Sequence, residues 1–221
     1  MNATRMFASL AVAGVIALAG CQTGTTPGSG ASPTPATAGE APKPTGFSQK
    51  PKAEIVLPKG YLCCNLHRYD DWISDANYQA WLLVPAGTPA YVKKYGRHRA
   101  HIDAGGKALR LGHDYGRKEE SLEQWTAKMI VAEDPKPRIA AWPREVQDAI
   151  ELGQVAIGMT REQAIVAVGY PLTNENPSIE SRRWIMWASE SAQYQILWNE
   201  EGRIKEVAAD PVTRSSVLHR P

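Results

Sequence analysis

The sequence predicts an α+β fold in two parts. A small antiparallel β module comes first, then an ααβββ domain with helices packed on a three-stranded antiparallel sheet. Three observations lead there. Residues 61–112 read as short strands cut by turn signals at Asp70-Asp71, Pro85-Ala86-Gly87 and Gly105-Gly106. Residues 143–169 carry helical apolar spacing with start and stop signals. Residues 182–208 return to alternation, with Tyr194, Ile196 and Trp198 on one strand face and a glycine-bearing turn at Asn199-Glu200-Glu201-Gly202.

Ahead of both parts lies a leader. Residues 1–5 carry one positive charge, and residues 6–20 are an uncharged run of apolar and small residues. A bilayer span needs about 20 apolar residues, so the run is short for a span, and its charged-then-apolar order suits a secretory signal. It ends in Leu18-Ala19-Gly20-Cys21. That tetrapeptide resembles the lipobox of bacterial lipoproteins. The resemblance implies a signal peptide over 1–20, diacylglycerol on the Cys21 thiol and cleavage before Cys21. Gln22 follows where lipoproteins kept in the inner membrane tend to carry Asp, so the expected place is the outer membrane, facing the periplasm.

Residues 21–52 are rich in Pro, Thr, Ser, Gly and Ala, with Phe47 the one large apolar side chain. Such a composition cannot bury enough surface to offset the entropy of ordering it, so this stretch reads as a tether. A flexible chain of about thirty residues averages about 30 Å end to end. The net charge of +2 provides no basic field for nucleic acid. Phe7 and Phe47 are the only phenylalanines, and beyond residue 52 every aromatic is Trp or Tyr. Those side chains suit interfaces as well as cores, because each joins an apolar ring to a polar tip.

In the β module, assigned to 53–133, the expected strands are 61–66, 78–84, 90–95, 97–103 and 107–112. On 97–103, Arg97, Arg99 and His101 share one face, and His98, Ala100 and Ile102 the other. A helix over about 117–129 follows, with Leu122, Trp125 and Met129 as its apolar stripe. Asp71-Trp72-Ile73-Ser74-Asp75 and Leu83-Val84-Pro85-Ala86-Gly87-Thr88 loosely resemble bacterial SH3-like envelope modules. Adjacent Cys63 and Cys64 read as free thiols, with a strained vicinal bridge as the alternative, since strand neighbours point to opposite faces and neighbouring Cα atoms sit closer than disulfides favour. His98, His101 and His113 do not converge on a strand, so no metal or other cofactor is expected beyond the lipid on Cys21.

The second domain is assigned to 134–210, with 211–221 as a tail. Pro143 opens a helix whose apolar side is Val146, Ala149 and Ile150, and Gly153 closes it. Thr160 and Gln163 form a capping box for the next helix, which Gly169 and Pro171 end. Three strands follow, over about 182–188, 192–199 and 203–208. Ile157-Gly158-Met159-Thr160-Arg161-Glu162-Gln163, Val168-Gly169-Tyr170-Pro171, Trp184, residues 194–198 and Glu201-Gly202-Arg203 resemble the SmpA/OmlA domain of small outer-membrane lipoproteins. That family includes the E subunit of the BAM complex, which assembles outer-membrane β-barrels. The resemblance implies a non-catalytic binding or scaffold role in envelope or outer-membrane assembly, with an envelope protein as partner.

A cell-wall-binding module contacting peptidoglycan, or an inhibitor-type binding protein, is the alternative. No nucleophile-and-base pattern suggests an enzyme. The loop 173–181 and the strand after it supply the candidate partner-binding residues Asn174, Glu175, Asn176, Trp184 and Trp187, because binding residues concentrate on loops beside rigid elements and hot spots favour Trp.

Overall fold

A computed structural model of the chain describes residues 56–220. The leader, Cys21 and the tether lie outside the described residues. The first strands are β1 (Lys59–Leu62), β2 (Leu66–Tyr69), β3 (Trp72–Ile73) and β4 (Leu82–Val84). They are followed by β5 (Pro89–Tyr95), β6 (Arg99–Ala104), β7 (Lys107–Gly112), helix α1 (Leu122–Met129) and β8 (Ile130–Val131). These eight strands form one curled mixed sheet in the order β4-β2-β3-β7-β6-β5-β1-β8. Only the β3–β7 pair is parallel among the described ladders. The rest of the chain is α2 (Lys136–Ala140), α3 (Arg144–Glu151), α4 (Arg161–Val168), the antiparallel strands β9 (Arg183–Ser189), β10 (Ala192–Trp198) and β11 (Ile204–Ala208), and α5 (Pro211–Val217).

This architecture corrects the expected fold class. Instead of a small SH3-like module beside a self-contained ααβββ domain, the chain is mostly β, built on a large eight-stranded sheet with a second sheet of three strands. Two physical reasons account for the difference. Strands of two residues, such as β3 and β8, are too short to carry a readable period, yet β8 lengthens the sheet by pairing with β1. And α4 is buried on several sides: Gln163, Ala164, Val166, Ala167 and Val168 are all buried, and partly buried Ile165 packs against the cores of both sheets. A helix shared in this way does not belong to one domain.

Two buried asparagines make the joint. Asn65, 1 % exposed, donates through Nδ2 to the carbonyls of Ile150 (2.6 Å) and Ala167 (3.0 Å) and accepts from the Ala86 amide at 2.9 Å. Asn77 donates to the Val168 carbonyl (2.8 Å) and the Asn65 carbonyl (3.1 Å). The last carbonyls of a helix have no partner within it, and here side chains from the connections between β1 and β2 and between β3 and β4 supply one. Asn77 holds φ at 47°, a left-handed conformation that Asn tolerates better than most residues. Gly169, at φ 82°, is needed there for a second reason: a Cβ would lie 2.5 Å from Asn77 Nδ2.

Local elements agree with local signals. The Thr160/Gln163 capping box is formed at the start of α4, and the three C-terminal strands lie within a residue or two of their expected ranges. Ala100 and Ile102 are buried on β6 while Arg99 and His101 face outward, in line with the alternation. The helix expected over 117–129 starts later, capped by a Ser121/Gln124 box. Residues 211–217, expected as tail, form α5. Asp210 caps it by accepting from Val212 and Thr213, and Val217 and Leu218 enter the core. Cys63 and Cys64 are joined as a disulfide between neighbours 3.8 Å apart at Cα, not free thiols. The chain bends there, so the two side chains do not alternate as on a strand.

Candidate functional site

The segment between β2 and β4 does not continue as the strand expected over 78–84. After β3 the chain folds into a loop. The Ser74 hydroxyl accepts from the Ala76 amide at 3.1 Å, and the Asn77 amide donates to the Ser74 carbonyl at 3.0 Å. Left-handed Asn77 then turns the chain so that Tyr78 and Trp81 leave the sheet together. The Trp81 amide donates to the Tyr78 carbonyl at 3.1 Å, and the Ala80 amide to the Ala188 carbonyl of β9 at 2.8 Å. Gln79 donates to the Tyr194 hydroxyl. The loop is therefore pinned to the three-stranded sheet.

A cleft of about 480 Å³ opens beside this loop. Tyr69, Trp72, Tyr78, Trp81 and Tyr115 supply five aromatic rings, and Arg99, Asp114, Glu190 and Ser74 the polar lining. The walls are corrugated: Trp81 meets Tyr78 edge-on (66°, 4.9 Å) and Tyr69 at 46° (5.9 Å). The Tyr78 and Tyr115 hydroxyls are 3.2 Å apart. Burial, then the Tyr115 hydroxyl and the Glu190 and Asp75 carboxylates, push the Tyr78 phenol up, so it stays protonated as a hydrogen-bonding group. The Arg99 guanidinium lies over the Trp72 ring at 4.4 Å and faces Asp114 at 3.5 Å. Trp72 Nε1, Arg99 Nε and Asp114 Oδ2 have no hydrogen-bond partner among the described residues.

Beneath the cleft sits a buried pair. His113 Nδ1 is 3.2 Å from Asp75 Oδ2, and His113 Nε2 is 2.9 Å from the Glu120 carbonyl oxygen. The His113 ring stacks on Trp125 at 5.3 Å. Burial lowers the imidazole pKa, but the Asp75 carboxylate and the Glu120 carbonyl together outweigh it, and the net shift is upward. Asp75 Oδ2 also accepts from the Tyr115 and Gly116 amides at 3.0 and 3.1 Å, which fixes the strand end that presents Asp114 and Tyr115. Both side chains are 2 % exposed, and the pair ties the loop after β3 to the end of β7.

The residues expected to bind a partner are placed variously. Trp184 is fully buried, donates to the Ile179 carbonyl at 2.9 Å and meets Trp198 edge-on, so it is a core residue and not an anchor. Asn176, also buried, pins the loop to β9 through the Ile185 amide and carbonyl. Trp187 faces the other way from Trp184 but is covered, packing with Ala76, Tyr78, Leu172 and Trp81 and donating to Glu175 at 2.8 Å. Asn174 is exposed, and with Glu175 and Trp187 it lines a hollow of about 150 Å³ that shares Tyr78, Tyr115 and Glu190 with the cleft. The residues that sequence reasoning missed are Tyr69, Tyr78, Trp81, Tyr115 and Glu190. For the four aromatics the signal was the restriction to Trp and Tyr beyond residue 52, which names a residue type but not a place, and Glu190 carried none.

Comparison with protein-family models, with curated proteins and with solved structures gives no match to this chain.

Proposed function

We propose that this chain is a lipid-anchored outer-membrane protein, facing the periplasm, that acts by binding and without catalysis, and that the aromatic cleft is its binding surface. The observation that carries this reading is the gathering of five Trp and Tyr rings around one open cleft of about 480 Å³. Aromatic side chains of this kind provide contact area with little entropy to lose, and pockets of a few hundred Å³ with a few placed polar groups are the usual form of a ligand site. The lipobox-like Leu18-Ala19-Gly20-Cys21 supports the anchor. The likeness of residues 157–171 to SmpA/OmlA lipoproteins supports the envelope setting. His113 is buried, 2 % exposed, which argues against a catalytic histidine.

Two measurements test the reading together. Cys21→Ser should abolish acyl labelling and release the chain from membranes, and persistent labelling would refute the anchor. A photo-cross-linking residue at Tyr115, 50 % exposed, should give a defined adduct in intact cells. The same residue at Leu152, 62 % exposed and away from the cleft, should not. Equal adducts from both positions, or none from Tyr115, would refute the cleft as the binding surface.

A further inference from the structure

From the composition and shape of the cleft we infer that its ligand is a neutral saccharide chain, an inference that rests on the cleft being the binding surface. A pyranose ring has apolar C–H faces and a rim of hydroxyls, each of which both donates and accepts. The cleft has the complementary pattern. Its walls are aromatic, and its polar groups are of both kinds: the Arg99 guanidinium donates, the Asp114 and Glu190 carboxylates accept, and the Ser74 hydroxyl does either. The Arg99 guanidinium and the Asp114 carboxylate stand 3.5 Å apart in this lining, with Arg99 held over the Trp72 ring, so a donor and an acceptor are fixed side by side as adjacent sugar hydroxyls require.

The same groups disfavour two other ligand classes. A proline-rich peptide fits aromatic grooves, but proline has no backbone N–H, so it offers carbonyl acceptors and nothing for two carboxylates to accept. A quaternary or primary ammonium fits aromatic cages that close around it, but here the guanidinium of Arg99 already occupies the face of Trp72. The two carboxylates against one guanidinium likewise disfavour an acidic sugar.

The cleft is also open at both ends. Past Tyr69 and Trp81 it continues as a shallow depression along the turn Ser189-Glu190-Ser191. Past Tyr78 and Tyr115 it runs into the hollow at Asn174 and Glu175. A track with two exits suits an internal stretch of a longer chain more than a single sugar. In the envelope this chemistry has two sources, the glycan strands of the cell wall and the sugar chains of lipopolysaccharide.

The experiment uses the full chain in detergent. Tryptophan emission is followed while N-acetylglucosamine tetramer or maltotetraose is added. Co-sedimentation with protein-free cell-wall sacculi, and retention on immobilised lipopolysaccharide, separate the two sources. At least one tetrasaccharide should give a saturable change. Trp81→Ala and Glu190→Gln should each weaken it tenfold or more. Glu190 is exposed in a turn, so its variant should fold normally even if loss of Trp81 disturbs the loop. Tyr91→Ala, which removes an exposed ring on β5, should bind as the parent does. No saturable response to any saccharide, an unchanged response in Glu190→Gln, or saturable binding of a decaproline peptide in its place would each overturn the inference. If saccharides fail while the Tyr115 cross-link persists, the saccharide assignment falls and the binding role stands.

Discussion

Asn65 is the residue whose loss should tell most about how the molecule holds together. Asn65→Ala removes two donated hydrogen bonds and one accepted one, leaving the Ala167 carbonyl and the Ala86 amide without partners, while the Ile150 carbonyl keeps the Gly153 amide at 3.0 Å. Asn65 is 1 % exposed, so water does not reach these groups without local opening. An unsatisfied buried polar group costs about 1–3 kcal/mol. Two of them, in the lower half of that range each, give a loss of about 3 kcal/mol. For a chain of this size that corresponds to a fall in thermal midpoint of about 10 °C. Asn65→Leu should do no better, because a side chain of similar volume restores none of the three bonds. Urea unfolding followed by tryptophan emission measures the loss. The parent should unfold in one transition, since residues 56–220 fall within a single compact unit. A loss below about 1 kcal/mol in both variants, or two separated transitions in the parent, would refute the claim that this asparagine ties the end of α4 to the large sheet.

Other predictions follow from particular groups. His67 is buried, and burial, partly offset by a hydrogen bond to Asn77, lowers its pKa from 6.5 to about 4. The folded state therefore binds fewer protons than the unfolded one between these values, and stability should fall by about 3 kcal/mol as pH drops from 6.5 to 4. Urea midpoints across that range should slope in the parent and flatten in His67→Gln, and identical slopes would refute the assignment. His113 has the opposite sign: its pKa is raised, so its contribution is present below 6.5 and lost as pH rises through the folded value, and His113→Gln should remove that alkaline limb. Val217 on α5 is 1 % exposed, so Val217→Ala should cost about 2 kcal/mol by chemical denaturation, whereas a dangling tail would show no change.

Legibility in the sequence followed range. The start of α4 was readable because its capping box spans four residues, Thr160 to Gln163, and its end because Gly169 and Pro171 stand together. The alternation on β10 is likewise local. Helix α5 had a readable start in Asp210-Pro211, a cap followed by proline in the first turn, but a seven-residue helix offers too little periodicity to weigh against its position at the chain end. The loop carrying Tyr78 and Trp81 resembled a strand because it leads into the continuous apolar run of residues 80–84. The left-handed turn at Asn77 and the tie to β9 decide otherwise, and neither is visible locally. The cleft was least legible. It draws Tyr69 from the end of β2, Tyr115 from beyond β7 and Glu190 from the turn between β9 and β10, which only tertiary packing brings together. Of the expected loop residues, Asn174 and Glu175 lie beside it, while Trp184 was lost to the core because the inward face of β9 claims it.

The strand order of the large sheet has a consequence for how the chain reaches its native state. Strands β5, β6 and β7 are hairpin neighbours and can assemble as soon as they are present. Strand β1 cannot: its partners are β5, nearly thirty residues on, and β8, about seventy residues on. Likewise β3 waits for β7 to offer a parallel edge. Closing such long loops costs entropy before any contact repays it, and chains dominated by distant pairings fold in milliseconds to seconds, not microseconds. The meander should therefore form early, with β1 and β8 zipping last. Were the chain exported unfolded, as the proposed lipid anchor requires, a slow final closure would leave time for translocation.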